Sequence, residues 1–133
     1  GLIQGRLIDY LRVHVSQIGG VSPARKLAAL CEAYGVRTAW HGPGDLSPVG
    51  AAAQLHLDVA CHNFGIQETA RFTDAEREVF PGTPIIDNGY MYPSDQPGFG
   101  IDIDERAAAR YPCRWRAHGW LQARTPDGAS ARP

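Results

Sequence analysis

The chain has 133 residues, 44% of them hydrophobic and 20% charged, the make-up of a folded domain with its own core rather than of a disordered segment. With 13 Lys and Arg against 14 Asp and Glu, the formal net charge is -1, which leaves no basic footprint for nucleic acid. No apolar run approaches the roughly 20 residues a membrane helix needs, and Cys31, Cys61 and Cys113, odd in number and widely spaced, read as reduced thiols of a cytoplasmic protein rather than as a metal ribbon or disulfide framework.

Taken in order, the chain starts with Gly1-Leu2-Ile3-Gln4-Gly5-Arg6, which has no signal-peptide pattern and no initiator Met; residue 1 is not expected to be the biological start. Residues 2–7 read as the tail of a helix. Residues 10–16 read as a strand, with Leu11, Val13 and Val15 on one face and Tyr10, Arg12 and His14 on the other. Gly19-Gly20 breaks the chain and Ser22-Pro23 starts a helix, with Leu27, Leu30, Cys31 and Tyr34 as its apolar stripe and Gly35 as its C′ residue.

A second strand, 36–41, ends in a histidine. Gly42-Pro43-Gly44 then reverses the chain sharply, and Ser47-Pro48 has the form of an N-cap followed by proline at the first helical position. The helix runs from Pro48 to about Val59, with Val49, Ala52, Ala53, Leu55, His56 and Val59 on its buried side. A third short strand, 63–68, ends in Gln67-Glu68. A short strand about every 27 residues is the repeat of βα units, which make parallel sheets with right-handed crossovers.

Beyond Glu68 the pattern changes. Residues 74–80 give one or two helical turns, and 81–100 read as irregular structure anchored by Tyr90, Met91, Tyr92 and Phe99. Asp102-Ile103-Asp104-Glu105 opens a short helix through Ala109, with acidic residues in its first turn. Residues 111–120 read as extended and 123–133 as a loose polar end. Residues 1–112 thus read as one segment, and 113–133 as a C-terminal tail.

Each strand carries polar residues where a core strand should be apolar: Arg12 in mid-strand, His41 and Asp45 around the second strand's end, and Glu68 closing the third. In parallel α/β proteins that edge is where ligands bind. Arginine supplies a bidentate fork for a carboxylate, and histidine holds or transfers a proton near neutral pH. Asp45 and Glu68 can accept hydrogen bonds from hydroxyls, so the set suits a small polyhydroxy acid. Taken singly, Arg12 equally fits half of an ion pair, and His41 fits a structural histidine capping the turn. His14 and His56 read as packing or surface residues. His41 and Asp45 are too few for a metal site, which needs three or four ligands.

The stretches Leu7-Ile8-Asp9-Tyr10-Leu11-Arg12-Val13-His14-Val15-Ser16, Gly20-Val21-Ser22-Pro23-Ala24-Arg25-Lys26-Leu27-Ala28, Arg37-Thr38-Ala39-Trp40-His41-Gly42-Pro43-Gly44-Asp45, Asn63-Phe64-Gly65-Ile66-Gln67-Glu68 and Pro97-Gly98-Phe99-Gly100-Ile101-Asp102-Ile103-Asp104 resemble the mannonate dehydratase family of the enolase superfamily. These acid-sugar dehydratases include starvation-sensing proteins. The resemblance implies an α/β fold, the last three βα units of a modified (β/α)8 TIM barrel with an irregular C-terminal extension, incomplete alone because a full barrel takes about 250 residues. It implies a Mg2+-dependent lyase acting on D-mannonate or D-gluconate, and a homo-oligomer in the full-length protein. A base removes the proton α to the carboxylate, and an acid expels the 3-hydroxyl as water.

Carried over by position, Arg12, His41, Asp45 and Glu68 correspond to substrate-contacting residues. The catalytic acid/base groups and the Mg2+ carboxylates of the family would lie upstream of residue 1. Pro43 stands where members carry Ala or Pro, the Pro form going with weak mannonate turnover or with gluconate. The chain ends in Ala131-Arg132-Pro133, where many members end in a tryptophan. The competing expectation is a truncated, non-catalytic homologue that needs the missing part to fold.

Overall fold

Glycine sets the first reversal of the chain. In the computed structural model, which describes residues 1–114 and 124–129, Gly19 and Gly20 both lie in the left-handed region, at φ 102° and 98°, where side-chain-bearing residues are strained. They deliver the chain from strand β1 (Tyr10–Leu11) into helix α1 (Val21–Ala33). The helix ends as its sequence requires: Gly35 has φ 71°, its N–H donates to Glu32 O at 3.0 Å, and that of Val36 donates to Cys31 O at 2.9 Å. This is a Schellman closure, and it turns the chain back into strand β2 (Arg37–Thr38).

β1 and β2 pair in parallel, with Tyr10 opposite Arg37 and Leu11 opposite Thr38. The ladder outlasts the strand bounds, since Ala39 N donates to Leu11 O and His41 N to Val13 O, both at 2.9 Å. On the other side of β2, Thr38 forms a parallel bridge with Phe64. Gly65 lies so close beneath the Tyr10 ring that a Cβ there would sit 2.5 Å from it. Three chain segments thus run the same way with β2 in the middle, as expected of βα units.

The strands are shorter than their sequences predict. The expected strand over 10–16 stops pairing at Val13, because Gly20 N bonds Val15 O at 2.9 Å and Gly19 N bonds Ser16 O, folding that stretch into a turn. The expected strand over 63–68 is a single bridge, being hydrogen-bonded only on its β2 side. Residues 2–7 form one helix-like turn, Gly5 N to Gly1 O at 2.9 Å, stopped by Arg6 at φ 51°.

Helix α2 (Pro48–Ala60) begins as read: the Ser47 hydroxyl accepts from Gly50 N at 3.1 Å, with Pro48 at the first position. The helix faces differ from expectation. On α1 the sheet-facing stripe is Ala24, Ala28 and Cys31, while Leu30 is exposed. These small residues admit Val36 and Trp40, both buried, into one core with Leu11, Val15 and Leu57. α2 is buried on more than one face, from Ala51 to Leu55 and at Leu57 and Asp58. One side meets that core and another meets Phe72 and Phe99. Val59, expected inside, is exposed.

The C-terminal part holds helix α3 (Asp74–Val79), strands β3 (Ile86–Asp87) and β4 (Tyr90–Met91), and helix α4 (Glu105–Ala108). Thr73 and Glu76 form a reciprocal capping box on α3. β3 and β4 are an antiparallel hairpin where irregular structure was expected. Its turn, Asn88-Gly89 at φ 49° and 84°, is the doubly left-handed pair whose twist matches a hairpin. Asp104 caps α4 through the Arg106 and Ala107 N–H groups. The expectations for 115–123 and for Ala131-Arg132-Pro133 lie outside the described residues. Among the described residues no helix is long and apolar enough to cross a membrane.

Candidate functional site at the parallel strand ends

The parallel register carries Arg12, His41 and Glu68 to one edge of the sheet. Arg12 follows the last residue of β1, and His41 is the last β2-side residue to bond its neighbour, Val13. Glu68 closes the third segment. There the chains nearly touch: a Cβ on Gly42 would lie 2.0 Å from the Glu68 carbonyl oxygen, so only glycine fits at that crossing.

Arg12 donates from Nε to Glu68 Oε2 at 3.0 Å and from Nη2 to Oε1 at 2.9 Å. The backbone N–H of Gly42 donates to Oε2 at 3.2 Å, and His41 Nε2 lies 3.9 Å from the same oxygen. The Arg12 hydrogen bonds, helped by the Gly42 N–H and by the charges of Arg12 and His41, hold the Glu68 carboxyl below the usual carboxylate range against partial desolvation. Arg12, Glu68 and His41 remain 54%, 42% and 30% exposed, so the cluster is open to a ligand. The arginine fork proposed for a carboxylate is taken up by the protein's own Glu68. Of the two sequence readings for Arg12, the ion pair is the one realised in this state.

Asp45 does not join them. The turn closed by Leu46 N to Pro43 O at 2.9 Å leaves it exposed at the tip, without a hydrogen bond to the other three. In its place the structure supplies His14, read from sequence as packing or surface. Its ring meets that of His41 edge to face, with centroids 5.6 Å apart at 84°, and its Nδ1 is 2.9 Å from the Ser16 hydroxyl. Sequence reasoning also missed Gln54 and Gln67 behind the edge. Gln54 Nε2 donates to the His41 carbonyl and Gln67 Nε2 to Gln54 Oε1, both at 2.8 Å. The signal was there: a glutamine inside Ala51-Ala52-Ala53-Gln54-Leu55 must find partners if buried.

A second polar feature lies apart from this edge. Asp58 is 7% exposed and neither carboxylate oxygen makes a hydrogen bond of ordinary geometry. Burial pushes it up to about 7, with the Trp40 indole pulling partly back. It borders a cavity of about 380 Å3, with Phe64, Ile66, Ile86 and Tyr90 also in the lining.

Chemically, the edge presents an ionised carboxylate held by arginine, an imidazole beside it and a second imidazole behind. Such a set accepts and donates hydrogen bonds to neighbouring hydroxyls and holds or passes a proton at the His41 ring.

Residues 1–107 match the family model described as enolase C-terminal domain-like. A D-galactonate dehydratase family member from Salmonella enteritidis PT4 is 62% identical over 132 residues, covering 99% of this chain. Another, from Musicola paradisiaca, is 60% identical over the same span. These relatives are named for galactonate, not mannonate. Among solved structures, an enolase from Pantoea ananatis with bound D-gluconate and Mg is 56% identical with a TM-score of 0.86, covering 99% of this chain and 32% of that one. A mandelate racemase/muconate lactonizing enzyme from Jannaschia sp. CCS1 is 28% identical with a TM-score of 0.71, over 82% of this chain and 28% of that one. The chain spans about a third (32%) of the length of the curated relatives it matches. Its parallel strand ends and the match over residues 1–107 agree: this chain belongs to the enolase C-terminal domain-like family, as a part of a TIM-barrel-like region.

Proposed function

We propose that this chain supplies substrate-binding residues to a cytoplasmic acid-sugar dehydratase that converts a six-carbon aldonate to its 2-keto-3-deoxy acid. D-gluconate is the first candidate, followed by D-galactonate and D-mannonate. The observation that carries this reading is the Arg12–Glu68–His41 cluster at the parallel strand ends, in a chain 56% identical to a protein whose structure holds D-gluconate. In this reading Arg12 fixes Glu68 as an ionised acceptor for substrate hydroxyls, and its free Nη1 side faces the ligand. His41 contacts an adjacent hydroxyl, and Asp45 reaches the ligand from the turn. The reaction breaks the C–H bond α to the carboxylate and the C3–O bond, releases water, and leaves an enol that becomes the ketone. Cys31, Cys61 and Cys113 are free thiols, which supports the location.

Mg2+ is named with the Pantoea structure. Among the described residues of this chain no group of three or more His, Cys, Asp or Glu is placed to hold a metal ion. The test is a panel of sugar acids offered with Mg2+ to the intact protein, with α-keto acid formation as the signal. One good substrate whose kcat/KM Arg12→Ala lowers by about tenfold or more supports the assignment. A protein that folds and dehydrates none of them is the non-catalytic homologue instead.

A further inference from the structure

Gln54 is completely buried, at 0% exposure, in the middle of α2. An amide in apolar surroundings is costly unless its donors and acceptor are used. Here one amide is used at both ends: Nε2 donates to the His41 carbonyl and Oε1 accepts from Gln67 Nε2, each at 2.8 Å. The Gln67 amide in turn lies against the Glu68 carbonyl oxygen. One helix side chain therefore joins the ends of two neighbouring strands, at the level where one presents His41 and the other Glu68.

The backbone does little of this itself. Between β2 and the third segment the last ladder bonds are Gly65 N and Ile66 N to Thr38 O, at 3.0 and 3.3 Å. The His41 N–H is committed to Val13 O on the opposite side. Past Thr38 the hydrogen bonds between the two chains run from Gly42 N to the Glu68 carboxylate and through the Gln54 bridge.

We propose that Gln54 is a positioning residue, which holds the strand end of His41 and that of Glu68 at the separation where imidazole and carboxylate face one ligand. The proposal rests on the dehydratase reading for its ligand, and on the hydrogen bonds alone for its geometry. Misplacing a binding group by about 1 Å is enough to cost on the order of a hundredfold in rate. Gln54→Met keeps the volume and removes both bonds. Gln67→Leu keeps the bond to His41 and removes the other half of the bridge.

The experiment is made on the intact protein with its histidine ring nitrogens labelled with 15N. The His41 ring signals are recorded for the parent, Gln54→Met and Gln67→Leu, and kcat and KM are measured with D-gluconate. Gln54→Met is expected to move the His41 signals and to lower kcat by about tenfold or more, with KM changed less than about threefold. Gln67→Leu should do the same to a smaller extent, and it carries the test if Gln54→Met does not fold. His41 signals that stay at their parent positions in a folded variant overturn the proposal. If those signals move in a protein that dehydrates no sugar acid, the bridge stands and the dehydratase reading falls.

Discussion

Among the described residues, two long-range arginine–glutamate pairs look alike in isolation. Arg12–Glu68 spans 56 residues and Arg110–Glu78 spans 32. Their side chains are similarly exposed, at 54% and 42% against 57% and 49%. In both, the arginine hydrogen bond is the main cause holding the glutamate below the usual carboxylate range. The surroundings differ. Around Glu78 the remaining acceptor is filled by the Tyr111 hydroxyl at 3.0 Å, and the group fastens α3 to α4. Around Glu68 stand a backbone N–H, the His41 ring at 3.9 Å and, behind it, His14. An exposed ion pair contributes little stability by itself. What separates a brace from a candidate binding site is whether neighbouring groups retain capacity for a ligand.

The largest expected effect tests that distinction directly. On the dehydratase proposal, Arg12→Ala in the intact protein should lower kcat/KM for the sugar acid by about ten- to a hundredfold, the range for losing a charge-assisted contact. The fold should persist, because Arg12 is exposed and outside the apolar core. His41→Ala should cost about tenfold. Parent-rate turnover by Arg12→Ala would place the site elsewhere.

A third carboxyl group extends the comparison because it has no arginine. Asp58 is raised by burial to about 7. A carboxyl raised in the folded state binds its proton more tightly there than in the unfolded chain. Its contribution is therefore complete below the unfolded value of 3.8 and is lost as pH rises through about 7. Asp58→Asn should remove that dependence, so that the variant melts several degrees above the parent at pH 8 and close to it at pH 4. Identical melting curves at both pH values would show that Asp58 finds a partner in the intact protein.

Much of the candidate site was legible because strand ends in βα units carry polar residues outward together. Arg12, His41 and Glu68 were all readable from that pattern, and so were the Ser47-Pro48 helix start and the Gly35 stop. Other features depend on contacts distant in sequence. Leu30 has the hydrophobicity of a core residue, but the sheet selects Ala24 and Ala28 because small side chains let α1 approach Trp40. Asp45 has the chemistry of a ligand contact, and its position at the tip, apart from the other three, is set only when the Pro43–Leu46 turn closes. His14 gains its role only when β1 and β2 pair in register. The β3–β4 hairpin is different: Asn88-Gly89 is a strong local turn signal, but it stands among prolines and glycines whose density is that of irregular structure.

The smallest expected effect is on the second ion pair, and it isolates what the two pairs share. Because both glutamates are held low, each stabilises the fold above the ordinary value of 4.5, and each contribution is lost as pH falls through the lowered value. Glu68→Gln and Glu78→Gln should therefore both flatten the decline in melting temperature below about pH 4.5, and to a similar extent. Their activities should part. Glu68→Gln keeps the shape but removes the charge that orients Arg12 and faces His41, and its kcat/KM should fall by about tenfold. Glu78→Gln disturbs only the junction of α3 and α4, so its kcat/KM should stay within about twofold of the parent at neutral pH. Circular dichroism melts from pH 3 to 7, paired with turnover at pH 7, read both quantities on the same samples. A tenfold loss of activity in Glu78→Gln without a matching loss of folded protein would make the α3–α4 junction part of the site and erase the distinction between the two pairs.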